Sequence, residues 1–168
     1  MNHQLRVWTP EDIPSLTFHI NNIKIWNNTR DGLPHPYTEE DAENFIKMNM
    51  EHEGPAENFA IDIDGKAVGG VGFVMGSDVE RISAEIGYWL GEQYWGRGIM
   101  TSAVQEAVKY AFETLPIMRI YAGVFEYNIP SMKVLEKAGF KKEAILRKAV
   151  IKNGKILDFH YYALLKEE

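Results

Sequence analysis

The chain contains no cysteine. Thiol catalysis, a disulfide framework and cysteine-based zinc sites are therefore excluded, and a reducing cytoplasm is a compatible setting. Histidine is also sparse: His3, His19, His35, His52 and His160 are scattered too widely to form a spaced ligand set, so no metal is expected. No run of ~18 apolar residues occurs, and Met1–Arg6 lacks an apolar signal core, so neither membrane spanning nor secretion is expected. A basic excess is missing too. The 24 acidic residues outnumber the 18 basic ones for a net charge of −6, spread along the chain, which argues against nucleic acid or an anionic membrane as a partner. A cationic acceptor is mildly favoured. The expectation is a soluble cytoplasmic protein, monomer or homodimer.

What is present suits one domain spanning 1–168, large enough to bury about two thirds of the surface its unfolded chain would expose. Leu5–Trp8 reads as a short strand. Thr9-Pro10-Glu11-Asp12 then supplies an N-cap, a proline at the first helical position and acids in the first turn, predicting a helix to about Asn22. Asn27–Tyr37, with Asp31-Gly32 and two prolines, reads as a loop, and loops placed before a helix often carry binding groups. Thr38-Glu39-Glu40-Asp41 starts the next helix, which runs to Glu51 and buries Ala42, Phe45, Ile46 and Met50.

From Asn58 the pattern changes to strands. Phe59–Ile63 and Val68–Val74 flank a hairpin turn at Asp64-Gly65, and Ser83–Leu90 follows. Met100, Ala103, Val104, Ala107, Val108, Ala111, Phe112 and Leu115 keep the i, i+3, i+4, i+7 rhythm of a helix with one buried face. The remainder reads as a strand over Ile117–Val124, a short helix over Pro130–Ala138 stopped by Gly139, and strands Phe140–Val150 and Ile156–Leu165 about a turn at Asn153-Gly154. The chain is mixed α and β, without repeats or linkers.

Between Ser83–Leu90 and the clearest helix lies Gln93-Tyr94-Trp95-Gly96-Arg97-Gly98. Glycines at 96 and 98 permit positive φ and close approach of an anion, and the first N–H groups of the following helix lack partners and carry its positive dipole end. The turn is therefore either a phosphate site or an ordinary strand-to-helix connection. A nucleotide phosphotransferase is excluded, because no Gly-Lys-Ser/Thr ending follows.

Five runs, Pro36–Ala42, Glu85–Leu90, Tyr94–Ile99, Asn128–Ser131 and Val134–Phe140, occur in an order that resembles the GNAT family of acetyl-CoA-dependent N-acetyltransferases, in particular the branch acting on ribosomal-protein N-termini. The resemblance spans nearly the whole chain. It implies an α+β fold of three layers: a twisted, mostly antiparallel mixed sheet of about seven strands flanked by about four helices, parted between strands 4 and 5. It further implies acetyl-CoA in that gap, with backbone groups at Trp89 and Leu90 pairing the pantetheine amides and Gln93, Trp95, Gly96, Arg97, Gly98, Ile99 and Met100 wrapping the pyrophosphate. Gly87 marks either a bulge where the strands part or close packing against another backbone.

In this resemblance Asn128 holds the pantetheine arm, and Ser131 stands near the sulfur as proton donor to the departing thiolate; helix capping alone would also select both residues. The acceptor amine must be neutral when it attacks, and Glu85 is the leading base because related enzymes carry theirs on the equivalent strand. Asp158 and Glu126 are reserves. Tyr88, Trp89, Tyr127, Tyr161 and Tyr162 read as core or sheet-face aromatics, one or two of them lining the acceptor slot.

Magnitudes favour a low-pKa acceptor. An α-amine of pKa ~8 is about a tenth neutral at pH 7, whereas a lysine of pKa ~10.4 is neutral in about one molecule in 2,500, a handicap of roughly 3 kcal/mol. Acetyl transfer to an amine, with a protein N-terminal α-amine as acceptor, is thus the leading expectation. A small-molecule amine or polyamine acetyltransferase and a non-catalytic acyl-CoA module are the alternatives. Thr101-Ser102-Ala103 departs from the Thr-Glu-Ala run of many ribosomal-branch members, a change that leaves fold and cofactor binding as expected but does not support carrying over a specific acceptor protein from that branch.

Overall fold

A computed structural model describes residues 2–167. Its spine is one seven-stranded sheet, built from β1 (Gln4–Arg6), β2 (Asn58–Ile63), β3 (Lys66–Met75), β4 (Ser83–Leu90), β5 (Arg119–Phe125), β6 (Lys141–Lys152) and β7 (Lys155–Leu165), in the order β1-β2-β3-β4-β5-β7-β6. Every neighbouring pair is antiparallel except β4–β5. That parallel pair needs a crossover, and α4 (Ile99–Thr114) provides it.

The parallel pairing is short. Ser83, Ala84 and Glu85 face Arg119, Ile120 and Tyr121, after which β4 stays paired with β3 as far as Leu90 while β5 stays paired with β7 as far as Phe125. Each strand follows its outer neighbour, and a gap opens between them.

Helices cover both faces. On one face α4 and α5 (Ile129–Lys137) close a core that includes Ile61, Val71, Phe73, Ala84, Ile86, Val104, Ile120 and Leu135. The four alanines along α4 (103, 107, 111) and β4 (84) leave no side-chain bulk, so helix and sheet approach closely. On the other face α1 (Ile13–Ile20), α2 (Ile23–Trp26) and α3 (Glu39–Glu51) bury Trp8, Leu16, Ile25, Tyr37 and Ile46. A smaller cluster of Phe125, Leu157 and Phe159, with Val150 and Tyr161, lies on this second face beyond the point where β4 and β5 separate.

Three expectations are corrected. The helix expected from Thr9 to Asn22 is a 3₁₀ turn, Pro10–Asp12, followed by α1, with the extra single turn α2 after it, so the described residues form five α-helices where about four were expected. Pro14 sets a new first turn, and Asp12 is held by paired Arg6 hydrogen bonds of 2.8 Å and by the Thr9 N–H at 2.9 Å. Met50 is 60% exposed, because the inward stripe of α3 runs through 42, 45, 46 and 49 and has rotated past it. Gly87 marks no bulge: it pairs with Gly72 in unbroken register, and a Cβ there would meet nothing within 4 Å, so close packing does not explain it either.

Candidate active site

The turn expected to hold an anion is built as a rigid collar. Gly91 N–H closes on Val68 O at 2.8 Å, a 3₁₀ turn spans Glu92–Tyr94, and the Trp95 indole N–H donates to Leu90 O at 2.7 Å. Gly96 (φ 72°) and Gly98 (φ 74°) are both left-handed, and added Cβ atoms would touch nothing within 4 Å. Glycine is required here by conformation, and the space beside it is open. Gly98 caps α4 without a side chain, so the N–H groups of residues 99–101 have no acceptor inside the helix and point outward with its positive dipole end.

The candidate cofactor residues divide by what they can offer. Gln93, Trp95, Gly96, Arg97 and Gly98 are exposed, with the Arg97 guanidinium 5.8 Å from the Tyr94 ring. Ile99 and Met100 bury their side chains in the α4-side core and can contribute only backbone N–H groups. Trp89 and Leu90 likewise turn their side chains into the two cores, Trp89 against Gly70. What both present to the gap is backbone, one lone pair of Leu90 O already accepting from Trp95. This arrangement fits a pyrophosphate on the collar and an extended amide chain along the unpaired side of β4.

Across the gap, α5 begins at Asn128, whose Oδ1 accepts the Ser131 N–H at a long 3.4 Å and so caps the helix. Ser131 has a different partner. Its hydroxyl lies 2.7 Å from the Tyr88 hydroxyl, a bond that joins the parted end of β4 to the helix that follows β5. Burial pushes the Tyr88 phenol up to about 12, against the opposing pull of the Ser131 hydrogen bond, so it stays neutral and able either to donate or to accept. If Tyr88 donates to Ser131 Oγ, the Ser131 proton is free to point into the gap.

Glu85 stands at the last bridged position of β4, on the face opposite Ala84, Ile86 and Tyr88. Its Oε1 accepts from Arg30 Nη2 at 3.0 Å, and the Arg30 guanidinium lies 5.8 Å from the Phe159 ring centre. Gly87, next on the same face of β4, places no side chain beside Glu85, and a Cβ there would meet nothing within 4 Å. Carboxylate and hydroxyl pair thus approach the gap from opposite faces of one strand. The reserve bases are occupied elsewhere: Glu126 Oε1 accepts the Asp158 N–H and Asp158 Oδ1 accepts the Lys148 N–H, both at 2.9 Å, closing the irregular stretch of β6.

Arg30 belongs to the 27–38 loop, which is tied down from the far side. Lys152, its side chain 1% exposed, places Nζ 2.8 Å from Asp31 Oδ1 and 3.3 Å from the centre of the Trp26 ring. Asn153 donates to Asn27 Oδ1 at 3.0 Å, and the Tyr127 hydroxyl donates to Asn27 O. Sequence reasoning flagged this loop only in general and missed Arg30, Lys152 and the partnership of Tyr88 with Ser131. The Lys152–Asp31 pair joins residues 121 positions apart, and no local pattern carries it. Among the described residues no group of three or more histidine or acidic side chains could hold a metal, and no helix is long and apolar enough to cross a membrane.

Comparison with known proteins agrees with this geometry. A family model described as an acetyltransferase (GNAT) domain matches residues 3–141. The chain is 38% identical over 138 residues to the uncharacterized N-acetyltransferase p20 of Bacillus licheniformis, covering 79% of this chain and 77% of that one. It is 28% identical over 128 residues to the ribosomal-protein-serine acetyltransferase of Escherichia coli strain K12, covering 75% and 71%. The fold matches Mycobacterium smegmatis RimJ, solved in complex with CoA-disulfide, with a TM-score of 0.85 at 24% identity over 98% of this chain and 82% of the other. The chain therefore belongs to the GNAT family and is an N-acetyltransferase that takes its acetyl group from acetyl-CoA.

Proposed function

We propose that Glu85 and Ser131 divide the proton transfers of the reaction, with Tyr88 fixing Ser131, and that the acceptor is an α-amine entering from the α1–α3 face. The observation that carries this reading is the placement of the two groups on opposite faces of β4 at the mouth of the same gap. Acetyl-CoA supplies the thioester carbonyl when bound. The collar N–H groups of residues 99–101, with Gly96 and Gly98, hold the pyrophosphate, and the free edge of β4 aligns the amide chain.

Glu85 then accepts a proton from the incoming ammonium, which reaches it past Gly87. The neutral amine bonds to the thioester carbon. As the C–S bond breaks, the Ser131 hydroxyl, held by Tyr88 on the opposite face, passes its proton to the departing sulfur and takes in exchange the second proton released by the amine nitrogen. Amide and CoA thiol thus form with one proton left on Glu85. In this reading transfer is direct: the absence of cysteine removes a thiol acyl carrier, and Ser131 serves as proton donor rather than nucleophile. An α-amine suits this site because about a tenth of it is already neutral at pH 7. The N-terminal α-amine of a protein is the leading acceptor, in line with the ribosomal-protein acetyltransferase among the relatives.

The test is CoA release in the presence of acetyl-CoA and a panel of N-terminal peptides, free amino acids and polyamines. Turnover with α-amines, and loss of turnover rather than of acetyl-CoA affinity in Glu85→Gln, is the expected result. An unchanged rate in Glu85→Gln removes it as the base.

A further inference from the structure

On the α1–α3 face a pocket of about 180 Å³ is lined by Arg30, Asp31, Phe125, Val150, Ile151 and Lys152. Its walls are the 27–38 loop, the free end of β5 and the tip of the β6–β7 hairpin. The hairpin wall lies almost entirely beyond the residues matched by the family model, which end at 141. The pocket is not isolated, because the same Arg30 that lines it reaches Glu85 at 3.0 Å. Whatever binds with its amine at Glu85 has its adjacent atoms at Arg30.

The charges of this wall are unequally committed. Lys152 is held by Asp31 and by the face of Trp26, so this pair is closed on itself. Arg30 is not. Among the described residues it uses one N–H, on Glu85, and stacks near Phe159, while its side chain is 65% exposed. A guanidinium carries five N–H donors in a planar fork suited to a carboxylate.

Resting on the catalytic reading above, we infer that Arg30 is the acceptor-reading residue: it binds a carboxylate close to the acceptor amine, so the preferred substrate is an α-amine bearing an acid group within one residue. The Arg30–Glu85 pair is the electrostatic mirror of such a substrate, with ammonium going to Glu85 and carboxylate to the unused Arg30 N–H groups. Phe125, Val150 and Ile151 then offer an apolar wall to the substituent on the α-carbon. A polyamine or a lysine side chain would place a methylene chain or a second cation against Arg30 and is disfavoured. Two sources present the required chemistry, a free α-amino acid and a peptide with an acidic first or second residue.

The experiment compares kcat/KM for matched acceptors with and without the acid, in wild type, Arg30→Met and Arg30→Lys. Leucine against leucinamide, compared per neutral amine because the adjacent carboxylate makes leucine's amine the more basic of the two, reads the free amino acid. Peptides beginning Asp-Ala against Asn-Ala and Ala-Asp against Ala-Asn read the acidic peptide, and spermidine serves as the cationic control. Wild type should favour the acid member of at least one pair by about tenfold to a hundredfold, the range of a charge-assisted hydrogen bond. Arg30→Met should bring that ratio towards one, and Arg30→Lys should retain part of it. The ratio separates substrate reading from a merely structural role, which would lower both members of a pair alike.

Equal use of acid and amide by wild type, a preference for spermidine, or equal losses in Arg30→Met would overturn the inference while leaving acetyl transfer intact. Binding of acetyl-CoA without transfer to any amine would overturn the catalytic reading and this one together.

Discussion

Removing one oxygen atom, in Tyr88→Phe, tests the catalytic geometry most directly. The Tyr88 hydroxyl makes a 2.7 Å hydrogen bond to Ser131 Oγ, and its phenol is held neutral by burial, so the substitution deletes one hydroxyl of the pair without deleting a charge. One such bond contributes about 1 kcal/mol to stability, equivalent to a fall in Tm of roughly 2–4 °C in a chain of this size. A general acid contributes typically 10²–10⁴ in rate, and Ser131→Ala should fall near the lower end because water can replace a hydroxyl donor. Tyr88→Phe keeps the serine but frees its rotamer, and about a tenfold loss of kcat is expected, roughly 1.4 kcal/mol of barrier.

The decisive quantity is the double variant. If Tyr88 acts only through Ser131, Tyr88→Phe adds nothing once Ser131 is alanine, and the cycle shows a coupling of roughly the whole Tyr88 effect. The assay is steady-state CoA release with calorimetric acetyl-CoA affinity for all four proteins, the latter expected to vary by less than about threefold (~0.65 kcal/mol). Additive losses in kcat, or a fall in acetyl-CoA affinity matching the fall in turnover, would refute the coupling of Tyr88 to Ser131 as the proposed proton donor.

Three further outcomes follow from named positions. Gly87→Leu fills open space on the acceptor face of an ordinary strand, so it should raise stability by about 0.5–1 kcal/mol while raising the acceptor KM, and unchanged acceptor kinetics would show that the path to Glu85 lies elsewhere. Gly96→Val forces a β-branched residue into a left-handed conformation at a cost of about 1–3 kcal/mol, and calorimetry should show acetyl-CoA affinity lost before the fold. Burial raises Tyr37, Tyr88 and Tyr162 from 10.0 to about 12, so the stabilisation these phenols provide is complete below pH 10 and is lost as pH rises through about 12. Thermal unfolding followed from pH 9 to about 12 should show that loss, and Tyr88→Phe should make it shallower.

Local signals carried far along this chain. Apolar periodicity located α4 and its buried face, Asp64-Gly65 and Asn153-Gly154 set both hairpins, and the two left-handed glycines at 96 and 98 announced a turn that only glycine could make. These features depend on neighbours within a few residues, where dihedral preference and side-chain period act. Where local rules competed they misled: Pro14 divided the first helix, and the rotation of α3 left Met50 in solvent.

The chemistry of the site divides along the same line. By itself the sequence determined that a turn with two glycines stands between a strand and a helix, and that Glu85 precedes it while Asn128 and Ser131 follow. Only the tertiary structure decided that Ser131 answers to Tyr88, that Glu85 faces Arg30 from the opposite side of β4, and that Lys152 anchors the loop carrying that arginine. The physical reason is that these partners meet where β4 and β5 stop pairing, and the position of that separation is set by how each strand packs on its outer neighbour rather than by any residue in it.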